Sequence, residues 1–437
     1  MNLEEIRQNT AKKIMEYSVP AIISMVLTAF ITVADGFFMG NYVGKEGIAA
    51  VNLGLPIVYL YLAAGLMVSI GGVAIAGMAH GAGDWERCRQ VFRQTIVTAA
   101  AVSLGISGVM AFGLEPMLSV LRAEDQVMEH FMAYYQIMLL EYPIMVISSS
   151  FGMFIRGEGN PEFYMKVTVL NVLLNVALDY YFAGLMTFGA SGIALASLIS
   201  GMVSLGCMSG YFLRRAEIYR LGKFRFSWEI FIRGILNGSS EFIGEMSTGI
   251  AMFAYNFVIM RRIGADGVTA FTVVGYISYV FSMVVVGFGQ GASPLISFCY
   301  GAEEKKLAAD IRRKTNQYVF AAGAVVFLIM AAISDWYGGW FVRSEYVREM
   351  IGAGMGIFMV SFFFSGINTI TSFYFTATGR AFESAVISFS RGLVILLICI
   401  FLLPMLFGMT GVWMAAPMTE VVTLGITGAF LHREESR

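Results

Sequence analysis

Twelve mainly apolar stretches follow one another along the chain, and only short polar segments separate them. Their approximate limits are 14–39, 51–79, 91–113, 131–155, 163–185, 191–213, 231–260, 268–299, 317–338, 350–375, 384–405 and 411–431. A helix needs about 20 predominantly apolar residues to cross a bilayer, so each stretch predicts one membrane span. The longest polar segment, Arg214 to Arg233, separates spans six and seven. The expected fold class is an all-α integral membrane protein of twelve transmembrane helices. Composition agrees. Of 437 residues, 57% are hydrophobic and 14% charged, against about 25% charged in an ordinary soluble domain. Mean hydropathy is +0.72. A soluble enzyme with a water-facing surface is excluded. The net charge of −1 gives no basic field for nucleic acid.

Charge sets the expected orientation. With the N-terminus in the cytoplasm, 22 of the 29 basic residues fall on the cytoplasmic side and six on the other, and Arg391 lies inside span eleven. Basic residues near span ends favour the cytoplasm, so both termini are expected there. The opening MNLEEIRQNTAKK is polar and carries two glutamates, a poor signal peptide, so the first apolar run is expected to stay as span one. Cys88, Cys207, Cys299 and Cys399 are far apart in sequence and read as free thiols. His80, His130 and His432 lack metal-ligand spacing.

The chain reads as two copies of one unit. At a shift of 220, Gly44, Gly47, Gly71, Gly81 and Gly159 fall on Gly264, Gly267, Gly291, Gly301 and Gly379. At a shift of 219, Gly189 and Gly192 fall on Gly408 and Gly411. Tyr59 meets Tyr279, and Ala34 meets Ala254. Six spans per copy is an even number, so both copies have the same orientation. They should form two six-helix bundles related by a pseudo-two-fold axis along the membrane normal. The expected divisions are an N-lobe (1–213), a linker (214–233) and a C-lobe (234–437). Two bundles facing across a central cleft suit alternating access.

Polar residues that break the repeat need a separate explanation. Asp35, deep in span one, meets Tyr255, and Asp179 in span five meets Cys399. The scaffold can therefore be built without these acids. An isolated carboxylate in hydrocarbon must face a cavity, find a partner or take up a proton. Asn171, Asn175 and Asp179 are four apart and share a helix face; Ser197 lies in span six, across a short turn. This stripe is expected to face Asp35. Two nearby carboxylates cannot both ionise comfortably, so the group is a candidate site for H⁺ or Na⁺, the choice between them left open; were the ion Na⁺, Asp35, Asn175 and Asp179 would hold it. Polar glue between helices is the bland reading, and Asn and Ser alone would fit it.

The second copy carries other acids. Glu241 and Glu245, four apart in span seven, meet Ala21 and Met25. Asn237, Ser239 and Ser240 surround Glu241, which makes it the better cavity candidate. Glu420 in span twelve and Arg391 in span eleven offer a buried ion pair; an electronegative wall for cations is the other reading of Glu420. Asn171, Asn368, Glu241, Glu245 and Glu420 complete the candidate substrate cavity. The 36 Phe, 20 Tyr, 5 Trp and 29 Met are mostly packing. Acids, aromatics and adaptable thioethers in one cavity are nonetheless the chemistry that holds a lipophilic aromatic cation.

Several segments carry a resemblance to a known family. They are Pro20-x14-D-G-F-F-M-G from Asp35, V-G-K-E-G-I-A-A-V-N from Val43, R-G-E-G-N-P from Arg156, N-V-L-L-N-V-A-L-D ending at Asp179, and G-A-S-G-I-A-L-A-S ending at Ser197. Together they resemble the multidrug and toxic compound extrusion (MATE) family, in its MepA-like branch, over essentially the whole chain. The resemblance implies cation-coupled export of drugs and toxic organic molecules from a bacterial cytoplasmic membrane, by a protein working as a monomer without a resident cofactor. It places the N-lobe acid cluster on Asp35, Asn175 and Asp179, with Ser197 where relatives often have Thr, and a C-lobe carboxylate near Glu241. Some relatives carry a second acid in span ten for a Na⁺ site. Here span ten has Asn368 and no acid, which leaves the N-lobe cluster as the coupling point.

Two other function classes were weighed. A flippase for lipid-linked saccharides handles an anionic substrate and should line its cavity with Arg or Lys, whereas only Arg391 lies well inside a span. An intramembrane enzyme would need a nucleophile with a deep His partner, and the three histidines lie at span ends or in loops. No GxxxxGK[ST] motif is present, so direct ATP drive is not expected.

Overall fold

The computed structural model describes residues 1–121 and 125–436. Among the described residues the chain is helical, with no strand. Arg122 and Arg437, both counted in the charge bias, lie outside the described residues. Spans one to six are Thr10–Tyr42, Leu55–Gly81, Trp85–Leu121, Asp125–Glu158, Pro161–Asp179 continued by a π-helical turn Tyr180–Leu185, and Gly189–Arg214. Spans seven to nine are Trp228–Arg262, Ala265–Gly301 and Lys305–Phe341. Span ten is a pair of helices, Glu345–Phe358 and Ser361–Ala377, bent by 47° at the break. Span eleven starts as Ala381–Phe389 and a π-turn, Ser390–Val394. The helix Ile395–Glu435 that follows contains spans eleven and twelve, because the chain turns at Gly408 with φ 58° and ψ −133°. The helices outrun the apolar limits read from sequence because each carries polar turns beyond the hydrocarbon.

The repeat is visible in the backbone. Gly44 and Gly264 open their helices with φ 101° and 100° and a shared ψ of −167°. Gly189 and Gly408, at the turns before spans six and twelve, both have φ 58°. Side chains other than glycine rarely adopt these angles, so the matched glycines mark matched corners of two copies of one bundle. The copies differ at Gly54. There the first copy breaks into a short helix, Lys45–Leu53, before span two, while the second runs straight through from Ala265. The Tyr135 ring fills the gap, and its hydroxyl donates to the Val51 carbonyl at 2.8 Å.

Small residues let the bundles meet. A Cβ on Gly238 of span seven would lie 1.8 Å from the Met67 carbonyl oxygen of span two, and one on Gly71 would lie 1.9 Å from that of Gly234. The repeat partners do the same across the axis. A Cβ on Gly291 of span eight would lie 2.5 Å from Cα of Ser18 in span one. At the helix ends, Gly81 presses on Phe298, and Gly301 on Met78. Glycine permits this backbone-to-backbone approach.

These contacts lie toward one face of the molecule, the face that also carries the segment between spans six and seven and both chain ends. Helical structure ends at Arg214 and resumes at Trp228, so the connecting segment is shorter than the polar stretch suggested. It is a strap fastened to the N-lobe. Arg93 donates to the carbonyls of Arg220 (2.8 Å) and Lys223 (2.7 Å). A Glu158 oxygen accepts from the amides of Glu217, Ile218 and Tyr219, and Tyr219 is fully buried beside Phe92 and Phe154. Arg7 reaches Glu304 of the C-lobe at 2.6 Å. Arg156, one of the bases counted toward the cytoplasmic side, is buried, with its guanidinium 4.7 Å from the Tyr164 ring centroid.

Replacing Gly238 by Ala should lower thermal stability in detergent, because a backbone carbonyl cannot swing away; overpacking costs about 1–3 kcal/mol. Gly105→Ala, which meets nothing within 4 Å, should leave the unfolding midpoint unchanged.

Candidate functional site

Span five turns a polar face toward spans one and six. Asp179 is the last α-helical residue before the π-turn Tyr180–Leu185; such turns re-aim side chains and recur at functional sites. Its side chain is fully buried and lies within hydrogen-bonding range of Asp35, which descends from span one. Neither Asp179 oxygen, nor Oδ1 of Asp35, has a donor partner. An ionised carboxylate only accepts. Two of them side by side, Asp179 fully buried and Asp35 partly so, with no donor on three of their four oxygens, require a proton on one or a cation between them.

One turn earlier, Asn175 is 1% exposed. Its amide nitrogen donates to Ser197 Oγ at 3.2 Å, and its amide oxygen is left unpartnered. The cluster therefore offers carboxyl, amide and hydroxyl oxygens together, a hard-oxygen set suited to a proton or a small monovalent cation. Asn171, a turn further on, keeps Oδ1 without a partner. Of the span-five stripe Asn171, Asn175 and Asp179, expected to face Asp35, Asp179 lies by Asp35 and Asn175 is bonded to Ser197 of span six.

The structure adds a residue that the sequence reading passed over. Glu141 in the middle of span four is 8% exposed and lies within electrostatic reach of Asp35. Tyr134, on the same span, faces Asp35, Asp179 and Glu141. A usable signal was present: at the 220 shift Glu141 meets Ser361, so it breaks the repeat as Asp35 does.

The C-lobe acids are separated from this cluster. Glu420 and Asn368 are buried inside the C-lobe. Arg391 Nε donates to Glu420 Oε1 at 2.6 Å, and its Nη1 donates to Thr369 at 2.6 Å. Asn368 Nδ2 donates to Glu420 Oε2 at 2.8 Å, and its Oδ1 accepts from Thr427 at 2.9 Å. The offered Arg391–Glu420 pair is made, and both candidate cavity residues have their polar groups bound to neighbours. Arg391 sits in the second π-turn. Each lobe thus bends its fifth helix beside its charged group.

Glu241 and Glu245 are partly exposed on span seven. Tyr59 of span two and Tyr279 of span eight, repeat partners, both lie within electrostatic reach of Glu245. Tyr59 also packs on Gly249 of span seven. Two rings and a carboxyl thus converge where the lobes face each other. Glu241 lies beside Ser240 and Glu245. Of the two acids, Glu245 has the aromatic company.

The fold and this pattern of buried carboxyls define a membrane transporter of two bundles. The MatE family model matches residues 20–181 and 242–410; the chain belongs to the MatE family. It is 22% identical to multidrug export protein MepA of Staphylococcus saprophyticus, over 95% of this chain and 92% of that protein. It is 24% identical to the probable multidrug resistance protein NorM of Thermotoga maritima, over 72% of this chain and 70% of the other. A solved outward-facing multidrug resistance MATE transporter of the MOP superfamily superposes with a TM-score of 0.92 at 22% identity, covering 97% of this chain and 96% of that one. Its twelve-helix, two-bundle fold is the fold found here.

Arg391→Met should destabilise the protein by about 3–5 kcal/mol, because it strands a buried carboxylate. Arg391→Met combined with Glu420→Met should recover most of the loss, as read from thermal unfolding in detergent.

Proposed function

We propose that the chain is a secondary multidrug exporter of the plasma membrane, with both termini cytoplasmic and the N-lobe and C-lobe divided at the strap. It exchanges lipophilic organic cations for H⁺ or Na⁺. The carrying observation is the Asp35–Asp179 pair, two carboxyls without donors in a bundle interior. Such a pair has two states of different charge. Loaded with an ion it is close to neutral and tolerates a dry lobe. Emptied, it repels itself and draws water or a cation. An ion entering down its gradient therefore biases how the N-lobe packs. Because the lobes touch along glycine-lined seams, a change inside one lobe alters their mutual fit.

Glu245 with Tyr59 and Tyr279 supports a cationic, aromatic substrate, because a carboxyl supplies charge and ring faces supply cation–π contact. A lipid-linked saccharide flippase is less well supported. Arg391 is bound to Glu420, so it offers no free guanidinium to an anionic headgroup.

Asp35→Asn and Asp179→Asn should each lower ethidium efflux driven by an imposed ΔpH or Na⁺ gradient by about tenfold or more, a barrier change of about 1.4 kcal/mol per tenfold. Efflux at the wild-type rate, with unaltered dependence on both gradients, contradicts the reading. Glu245→Gln should weaken ethidium but spare neutral substrates.

A further inference from the structure

The two lobes treat a carboxyl at one place differently. At the 219 shift Gly201 of span six corresponds to Glu420 of span twelve. A Cβ on Gly201 would lie 3.6 Å from Glu141 Oε1. The same point on each lobe's sixth helix therefore meets a carboxyl. The helix itself bears it in the C-lobe, and span four supplies it in the N-lobe, where glycine makes room.

Their partners differ. In the C-lobe, Arg391 donates to Glu420 at 2.6 Å and Asn368 donates at 2.8 Å. Arg391 is a resident cation on the protein's own chain. At the 220 shift its N-lobe counterpart is Asn171, a neutral residue. Glu141 has neither a hydrogen-bond donor nor a basic group against it among the described residues, and it is more than nine-tenths buried. The titratable groups against it are Asp35 on span one and Tyr134 and Tyr142 on its own span; beyond them, Asp179 on span five and Tyr135 face Tyr134, and Tyr61 on span two faces Tyr142. Span six contributes Ser197 and Gly201, with no charge. Every nearby group that can carry charge is an acid.

A buried carboxyl with no donor and no base against it is neutralised by taking up a proton. The unpartnered Asn175 oxygen lies one helical turn from Asp179, where an ion can be shared. We propose that Glu141 is a second proton-holding group of the N-lobe, taking up one proton from water and releasing it to water in each cycle, beside the ion carried by Asp35 and Asp179. This rests on the reading of that pair as the coupling site. The link is electrostatic. Positive charge arriving at the pair makes release of the Glu141 proton easier, and emptying the pair makes it harder.

Infrared difference spectra of the purified full chain between low and high pH test this without any substrate. The wild type should show a protonated-carboxyl band that is absent in Glu141→Gln and displaced, but present, in Glu141→Asp. The midpoint of that band should move when Asp35→Asn removes the neighbouring charge. In liposomes, Glu141→Gln should also make the pH dependence of ethidium export shallower. Identical carboxyl difference spectra for wild type and Glu141→Gln would overturn the proposal. So would a Glu141→Asp protein that folds and lacks the band, since the role would then be packing alone. If Asp35→Asn and Asp179→Asn export ethidium normally while the Glu141 band is present, the coupling role of the pair fails and the Glu141 proton stands.

Discussion

The cost of a carboxylate in a low-dielectric bundle organises this protein. A charge of that kind without a partner is expensive in a membrane interior, and the chain meets the cost in two ways. In the C-lobe the partner is covalently part of the protein, Arg391, with Asn368 and Thr369 completing the hydrogen bonds. In the N-lobe no such partner stands among the described residues, and on the proposed reading the compensating charge comes from solution. A site that cannot be satisfied by its own chain is a site whose occupancy reports on the surroundings.

That difference gives a reason for duplicating a bundle and then letting the copies diverge. The scaffold elements are held in common: the glycine corners at Gly44 and Gly264 and at Gly189 and Gly408, and the seams at Gly71 and Gly291. The chemistry is not shared. Asp35, Glu141 and Asp179 have no acidic counterpart at the repeat positions, and Arg391 replaces Asn171. One lobe is balanced by its own residues, and on the proposed reading the other is balanced by ions, while both keep the same mating surface. On that reading, alternating access needs only one lobe to change shape.

Much of this was legible in the sequence, for physical reasons. Span number follows from the length that hydrocarbon demands, and the repeat follows from glycines that recur at matched corners of positive φ and at close helix contacts. The Asn171–Asn175–Asp179 stripe was readable because helical spacing fixes a shared face. What was not legible depended on partners distant in sequence. Arg156 looked like one more base on the cytoplasmic side, and only packing shows it under Tyr164. The Arg391–Glu420 pair was already offered by the sequence, but only the bundle shows that Asn368, a cavity candidate, is bound to Glu420 as well. Glu245 gained weight over Glu241 because Tyr59 and Tyr279 approach it, which local polarity around Glu241 could not reveal. Glu141 was hidden among apolar neighbours, although its mismatch with Ser361 marked it.

The most direct test of the central claim separates coupling from an intact transport path. Wild-type protein and an Asp35→Asn/Asp179→Asn double variant are reconstituted into liposomes, and both uphill ethidium accumulation under an imposed ΔpH or Na⁺ gradient and ethidium exchange at equilibrium are followed. The account predicts that the double variant still exchanges ethidium but no longer accumulates it under either gradient. Accumulation by the double variant to the wild-type level would contradict it.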